Sequence, residues 1–203
     1  MKNHFDQACA SVEALDPRVR RTRKLLQDAL RALVHERPFS TITVQDIADR
    51  ATVNRATFYA HYLDKYDLIA SIFKTDLHIT IEQRMANHMA LTSENLVVFA
   101  VAIFDFLGEI YASCPKTAND FQETIGTTLQ EELYEIMFGW LSRSGNYAHL
   151  FPKGSKETLA TVLVGSIYGG AYRWSRSSPR LPAAEVCREI VSILVVGENS
   201  ARK

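Results

Sequence analysis

Apolar residues recur mostly at helical spacing along this chain, and no segment shows a convincing strand-like alternation. Between Arg18 and about Glu36 they recur every four residues in two adjacent rows. The rows are Leu25, Ala29 and Leu33, and beside them Leu26, Leu30 and Val34. This spacing predicts an amphipathic helix with one buried face. The first sixteen residues lack the pattern, and we expect a loose arm there.

Three further helices are predicted by the residues that can cap them. RPFS (37–40) breaks the first helix, and Thr43 can cap a short second helix, VQDIADRA, with Asp46 in its first turn. Residues 51–53 then make a turn, and Asn54 can cap a third helix, RATFYAHY. Asp64 can cap a long fourth helix with Asp67 three positions on. Two short helices joined by a tight turn are predicted within residues 43–62.

The rest of the chain is predicted to be a helical bundle. A helix beginning at Ser93 contains LVVFAVAIFDFL, which is apolar nearly all round and suits a bundle centre. This run has twelve residues and contains Asp105, so it is too short to span a membrane. Three more helices follow: one through residues 121–141, one at 156–174 and one at 183–196. The fold class is therefore all-α, with about nine helices.

The distribution of charged residues along the chain indicates a function that the net charge of the whole chain does not. Formal net charge is zero, but residues 17–65 hold ten Lys/Arg and five Asp/Glu, a net of +5. Residues 66–203 hold twelve against fifteen, a net of −3. A basic first third suggests an anion-binding module. The three widely spaced cysteines and the polar N-terminus indicate a reducing cytoplasm without a signal peptide, and we expect no membrane association.

The two short helices fit the geometry of a helix-turn-helix. The first would brace across a DNA backbone, and the second would enter the major groove, which is wide enough for one α-helix. Residues at the front of the second helix must be small or able to form hydrogen bonds. Asn54, Arg55, Ala56 and Thr57 satisfy this requirement.

Residues 18–69 resemble the DNA-binding domain of the tetracycline-repressor (TetR) family of bacterial regulators. The shared pattern is Thr43-Val44, then Ile47-Ala48, a short turn, Thr57-Phe58-Tyr59-x-His61-Tyr62 and Lys65. The turn of the family commonly carries glycine, whereas this chain has Thr52. A β-branched residue resists positive φ, so we expect the turn geometry to be slightly altered.

The resemblance implies three segments and two kinds of site. The segments are an arm (1–17), a three-helix DNA-binding domain (18–64) and a bundle for ligand binding and dimerisation (65–203). Phosphate contacts are implied for Thr43, Tyr59, His61 and Lys65, and positions near base edges for Gln45, Arg55, Ala56 and Thr57; Asn54 completes the DNA-binding set. Phe58 and Tyr62 are expected in the core because they lie four residues apart. Candidate ligand-binding residues are Phe99, Ile103, Phe104, Met137, Trp140, Tyr168 and Tyr172.

The function predicted from these features is a homodimeric, ligand-responsive repressor that binds a palindromic operator in double-stranded DNA. The partners are DNA, a small hydrophobic effector and a second copy of the chain, whose contact would use the small residues GSIYGGA (165–171) and the last helix. No cofactor or metal is expected. One alternative is a coactivator or chromosome-associated protein whose bundle binds another protein. Another is an all-α enzyme, although the common catalytic and metal-binding motifs are absent.

Overall fold

The computed structural model describes residues 16–86, 90–113, 115–145, 147–151, 153–178 and 180–195, apart from the side chains of 113 and 115–125. Within these ranges the chain forms eight α-helices and one 3-10 turn, with no strand. The all-α prediction is confirmed, with eight helices where about nine were expected. Contacts divide the chain into two compact units, Met1–Thr75 with Cys114–Thr128 and Asp76–Ser113 with Leu129–Lys203.

The first unit is built from the amino-terminal helices. They are α1 (Pro17–Glu36), the 3-10 turn Phe39–Thr41, α2 (Val44–Arg50), α3 (Arg55–Tyr59) and the start of α4 (Lys65–Met85). Helix α1 packs against α2, and α2 packs against α3. Asp16 caps α1 by accepting a hydrogen bond from the N–H of Arg18 at 2.8 Å. The helix therefore begins where the predicted loose arm was expected to end, and the rest of that arm, 1–15, lies outside the described residues.

The buried face of α1 differs from one of the two predicted rows. Leu26, Ala29, Leu30 and Leu33 are buried, whereas Leu25 is 41% exposed. A spacing of four residues fits both rows equally well. Helix α2 packs against α1. The position of such a neighbour, which the spacing does not encode, decides which residues at the edge of the apolar face are buried.

Helix α3 is shorter than predicted. It was expected to run through Tyr62, but it ends at Tyr59 with Ala60 as its C-cap. The N–H groups of His61 and Tyr62 both donate to the carbonyl of Phe58, which tightens the final turn. The next N–H, that of Leu63, donates to the carboxylate of Asp67 in α4 instead. Residues 60–62 are thus a tight turn that delivers Tyr62 to the core, where it is 4% exposed.

The second unit contains the end of α4, α5 (Ser93–Ser113), the part of α6 (Pro115–Arg143) that follows Thr128, α7 (Lys156–Ser175) and α8 (Ala183–Leu194). Helix α5 packs against both α7 and α8. Although its twelve-residue apolar run was predicted to be too short, the helix over Ser93–Ala112 is long and apolar enough to cross a membrane by length and composition alone. Its residues Leu96, Ala100 and Phe104 are fully buried within the unit, so α5 is the core helix that its sequence predicts.

The three glycines of α7 differ in what surrounds their Cα atoms. A Cβ at Gly170 would lie 2.6 Å from Cδ1 of Ile190 in α8 and 3.3 Å from Cζ of Phe104 in α5. The absence of a side chain at Gly170 therefore lets three helices of this chain approach closely. A Cβ at Gly165 or Gly169 would meet no atom within 4 Å, so these two glycines face open space in the protomer.

Candidate DNA-binding site

Helix α2 begins with a reciprocal cap. The Thr43 hydroxyl accepts a hydrogen bond from the N–H of Asp46 at 3.2 Å, and the Asp46 carboxylate accepts one from the N–H of Thr43 at 2.8 Å. The Thr43 hydroxyl also donates to the same carboxylate at 2.6 Å. These hydrogen bonds and the nearby Arg37 lower the pKa of Asp46 to about 2. The predicted cap is confirmed, and it holds the exposed Thr43 at the start of the helix.

The turn between α2 and α3 has a left-handed residue at Thr52, with φ of 57°. The N–H of Val53 donates to the carbonyl of Ala48, and the N–H of Thr52 donates to that of Asp49. This pair of hydrogen bonds is the Schellman ending that usually relies on glycine. Thr52 itself adopts the positive φ that a β-branched residue resists, so the turn forms both hydrogen bonds without a glycine.

Helix α3 presents its first residues to solvent. Asn54 caps it by accepting a hydrogen bond from the N–H of Ala56 at 2.9 Å, as predicted. Asn54, Arg55 and Ala56 are exposed, and Thr57 is half-buried. The described side chains at this end of the helix are therefore small, polar or cationic, which suits close approach to a DNA groove.

The Arg55 side chain lies along the exposed edge of α3. Its Nη2 donates to the Tyr59 hydroxyl at 3.2 Å, and its guanidinium carbon is 5.5 Å from the Tyr59 ring centroid. Tyr59 is 49% exposed and packs edge-on against the buried Phe58. Tyr59 thus supports Arg55 while keeping its own hydroxyl at the surface.

Buried aromatic residues anchor α3 from below. Phe58 is fully buried, and its ring centroid is 6.0 Å from that of Tyr62. The Tyr62 hydroxyl accepts a hydrogen bond from Gln27 of α1 at 3.4 Å. The core placement predicted for both aromatic residues is confirmed, and it fixes which side of α3 faces outward.

Two predicted DNA contacts are engaged within the protein. Gln45 is exposed, and its amide donates to the Asp49 carboxylate at 2.7 Å. The Lys65 ammonium donates to the carbonyls of Phe39, Ser40 and Ile42, at 2.9, 3.2 and 2.7 Å. It also lies 4.6 Å from the Phe39 ring centroid. Lys65 therefore ties the segment before α2 to the start of α4, a contact that the sequence did not suggest.

His61 is half-buried beside α1. Burial, and then the positive charge of Arg23, lower the pKa of its imidazole. Arg23 was not singled out as a site residue from the sequence. The relevant signal was the cluster of basic residues at the start of α1, which does not by itself indicate which of them faces the helix-turn-helix.

Comparison with known proteins identifies this arrangement. Residues 26–72 match the family described as bacterial regulatory proteins, tetR family. This match covers α1 from Leu26 onward, α2, α3 and the start of α4, about a quarter of the chain. An uncharacterized HTH-type transcriptional regulator of Bacillus subtilis is 37% identical over 73 residues, which cover 33% of this chain and 19% of that protein. The chain therefore spans only about a fifth of the length of this curated relative.

Solved structures extend the similarity of fold to most of the chain. A TetR-family regulator from Pectobacterium atrosepticum has a TM-score of 0.61 at 16% identity, covering 90% of this chain and 98% of that one. The transcriptional regulator FadR of Bacillus subtilis in complex with stearoyl-CoA has a TM-score of 0.57 at 18% identity, covering 86% and 98%. AibR in complex with isovaleryl coenzyme A and operator DNA has a TM-score of 0.52 at 17% identity, again covering 86% and 98%.

The candidate ligand-binding residues all lie in the second unit. Phe99, Ile103, Phe104, Met137 and Trp140 are buried. The rings of Phe99 and Trp140 are 5.8 Å apart, so these two residues contact each other within the unit. Phe104 packs on Trp174, another aromatic residue that the sequence reasoning did not select.

Tyr168 and Tyr172 are only half-buried and belong to a polar cluster with Tyr111. Burial, and then the neighbouring hydroxyls of Tyr111 and Tyr172, raise the pKa of Tyr168 to about 12. Arg176 donates to the Tyr172 hydroxyl at 3.0 Å. Tyr111 and Arg176 were missed from the sequence because they lie on a different helix and beyond the end of α7, respectively.

Proposed function

We propose that this protein is a homodimeric transcriptional repressor of the cytoplasm, released from a palindromic operator when a small hydrophobic molecule binds its second unit. The observation that carries the DNA-binding part is α3. This helix is capped by Asn54, anchored by the buried Phe58, and exposes Arg55 and Ala56 at its front. A helix held in this way can present its first residues to the major groove while its buried side keeps its position in the protein core.

Base reading is assigned to Arg55. A guanidinium can donate two hydrogen bonds to guanine O6 and N7, which is worth ~1–3 kcal/mol of discrimination. Because Arg55 rests on the exposed Tyr59, it is partly preorganised for contact outside the protein. The side chains of Thr43 and Tyr59 lie at the surface, where hydroxyls can donate to phosphate oxygens.

Dimerisation is assigned to the outer faces of α7 and α8. Gly165 and Gly169 face open space one helical turn apart, which would let a symmetry-related helix approach closely. On the same two helices Val162 is 48% exposed and Ile193 is 79% exposed. Two pairs of such helices would form a four-helix interface. The two α3 helices would then address half-sites about one helical turn (~34 Å) or a multiple apart.

The effector is assigned to the second unit. Tyr168 and Tyr172 are half-buried aromatic residues that each keep a polar hydroxyl, and Arg176 donates to that of Tyr172, which suits a ligand with a polar head and an apolar body. FadR, which shares this fold, is solved with stearoyl-CoA, and AibR with isovaleryl coenzyme A. An acyl-CoA is therefore the first class of ligand to test. The change it causes in the free energy of DNA binding would equal the difference between its own binding free energies for the DNA-binding and the released conformations, typically ~1–3 kcal/mol.

The DNA experiment begins with selection of binding sequences from a pool of random duplexes. We expect a palindrome, and affinity for it should fall steeply with salt as counterions are released. Arg55→Ala should relax discrimination at one base pair per half-site while the protein stays folded. Arg50→Ala is the matched control, since it also removes one exposed guanidinium, but one paired with Glu36 at 2.7 Å. Equal loss on all sequences for Arg55→Ala would remove it from the base-reading set.

The effector and dimer are tested separately. Stearoyl-CoA and a short-chain acyl-CoA should raise the unfolding temperature and weaken operator binding. Sedimentation should give a dimer, and Gly169→Leu should shift it toward monomer. A bundle that ignores acyl-CoA but captures one protein partner would support the coactivator alternative, and failure to bind any duplex would remove the repressor assignment.

A further inference from the structure

The polar cluster at the carboxyl end of α7 is rich in hydrogen-bond donors. It is formed by Tyr111 of α5, Tyr168 and Tyr172 of α7, and Arg176, which directly follows α7. The three tyrosines are half-buried and Arg176 is exposed. Each phenol supplies one O–H donor, and the guanidinium supplies several N–H donors and no acceptor. An acceptor from outside the chain would therefore find several donors together.

The Arg176 side chain is turned back along α7 toward two aromatic rings. Its Nη1 donates to the Tyr172 hydroxyl at 3.0 Å, and its guanidinium carbon lies 5.5 Å from the Tyr172 ring centroid and 5.9 Å from that of Tyr111. The end of α7 has another cationic donor, because Arg180 donates to the carbonyl of Ser175. Stabilising the end of the helix is therefore not a sufficient reason for the position of Arg176.

The phenol groups of the cluster keep their protons. The rings of Tyr111 and Tyr172 meet edge-on with their centroids 5.9 Å apart. Burial is the chief cause that raises the pKa of Tyr168 to about 12, and burial also raises the pKa of Tyr111. In the part of the chain that the structure describes, the side chains acting on these two hydroxyls are tyrosines and Arg176, and none is a carboxylate. Phenols that stay protonated can donate to an acidic oxygen group.

The geometry points to a binding site in which Arg176, Tyr111 and Tyr172 hold the acidic oxygen group, a carboxylate or a phosphate, of a small-molecule effector. This inference rests on the proposed function, which assigns an effector to the second unit, and it adds that the polar head of this effector carries a negative charge. A planar guanidinium matches two oxygens of such a group and can donate to both. The two rings restrict the guanidinium before a ligand arrives, which lowers the entropy cost of binding.

The experiment measures binding of decanoate, decanol and coenzyme A to the full-length protein by isothermal titration calorimetry. Decanoate and decanol have hydrocarbon chains of equal length and differ in the charge of the head, whereas coenzyme A supplies phosphates without an acyl chain. We expect decanoate to bind at least roughly tenfold more tightly than decanol where the site takes a carboxylate, because a hydrogen bond to a charged group contributes about that factor. Binding of coenzyme A would instead identify the acidic group as a phosphate.

Three variants test the residues of the site. Arg176→Gln should weaken binding of the acidic probe by roughly tenfold and leave decanol unchanged. Tyr111→Phe keeps the ring beside the guanidinium and removes the hydroxyl, so it should weaken the acidic probe by a smaller factor. The matched control is Arg173→Gln, which removes an equal charge from the last turn of α7 and should bind as the wild-type protein does. Because Tyr111 lies on α5, its result stands even if Arg176→Gln weakens the dimer.

The outcomes separate this inference from the proposed function. Equal affinity for decanoate and decanol, without binding of coenzyme A, would overturn the acidic-group site and leave a hydrophobic effector in place. Equal losses in Arg173→Gln and Arg176→Gln would mean that the basic end of α7 attracts anions in general, and would also overturn the site. A loss of decanol binding in Arg176→Gln as large as that of decanoate would show that Arg176 supports the fold and does not bind the head. If neither the three probes nor stearoyl-CoA bind the wild-type protein, both the site and the effector assignment fail.

Discussion

Replacing Thr52 with glycine should stabilise the first unit. Thr52 has a φ of 57°, and its side chain is exposed. Holding an L-residue in the left-handed region costs ~1–2 kcal/mol. Glycine removes that cost, but it loses more backbone entropy on folding, which destabilises the folded state by ~0.5–1 kcal/mol. The difference between the two ranges is about 0–1.5 kcal/mol, so Thr52→Gly is predicted to gain roughly 0.75 kcal/mol, the middle of that range.

The gain should be measured as a shift in the urea midpoint at an unchanged slope, followed by circular dichroism. For a chain of this size each kcal/mol corresponds to about 2–4 °C in unfolding temperature. Thr52→Val is the matched control, because valine keeps the β-branch and should give no gain. Thr52→Asn should fall between the two, since asparagine tolerates the left-handed region.

Two results would refute this reasoning. A lower midpoint for Thr52→Gly would mean that the threonine side chain contributes more than its backbone strain costs. An equal gain for Thr52→Val would mean that the φ of this residue is not the cause. DNA affinity should stay the same in all three variants, because the Schellman hydrogen bonds that orient α3 come from backbone atoms.

Three more predictions concern other parts of the chain. The hydroxyl of Thr43 is the chief cause that lowers the pKa of Asp46 to about 2. The stability that ionised Asp46 contributes is therefore present above its unfolded pKa of about 3.9 and is lost as pH falls toward 2. In Asp46→Asn the urea midpoint should depend less on pH over that range. Lys65→Met should lower the urea midpoint, because three carbonyls lose a charged donor; an unchanged midpoint with a reduced salt slope would instead make Lys65 a phosphate contact. Gly170→Leu should destabilise the protomer, because even a Cβ would lie 2.6 Å from Cδ1 of Ile190 in α8. Gly169→Leu should leave the protomer stable and weaken only the dimer, which sedimentation would show.

The helix starts were predictable because caps act over two or three residues. Thr43, Asn54 and Asp64 each accept hydrogen bonds from N–H groups in the first turn of the helix that follows. That information is local in the sequence, and all three predictions are confirmed. The resemblance to the family could be recognised for the same reason, because the residues that carry it lie close together in the sequence, between Thr43 and Lys65.

Contacts between distant residues were not predictable in this way. The choice between Leu25 and Leu26 as a buried residue depends on where the neighbouring helix α2 lies. The use of the Lys65 ammonium depends on carbonyls 23 to 26 positions earlier in the chain. Gly170 serves a contact with α8 of its own chain, whereas the sequence suggested only a contact with a second copy.

The shortness of α3 links these distant contacts to DNA recognition. A helix of five residues is far below the length that is stable in isolation, so propensity alone does not hold Arg55 in place. Its position comes from Phe58 and Tyr62 in the core and from the segment that Lys65 ties down. Mutations at Phe58 and Tyr62, which are buried, should therefore abolish binding as completely as mutations at residues that touch DNA. Only variants that keep their urea midpoint while changing the salt slope or base preference identify true DNA contacts.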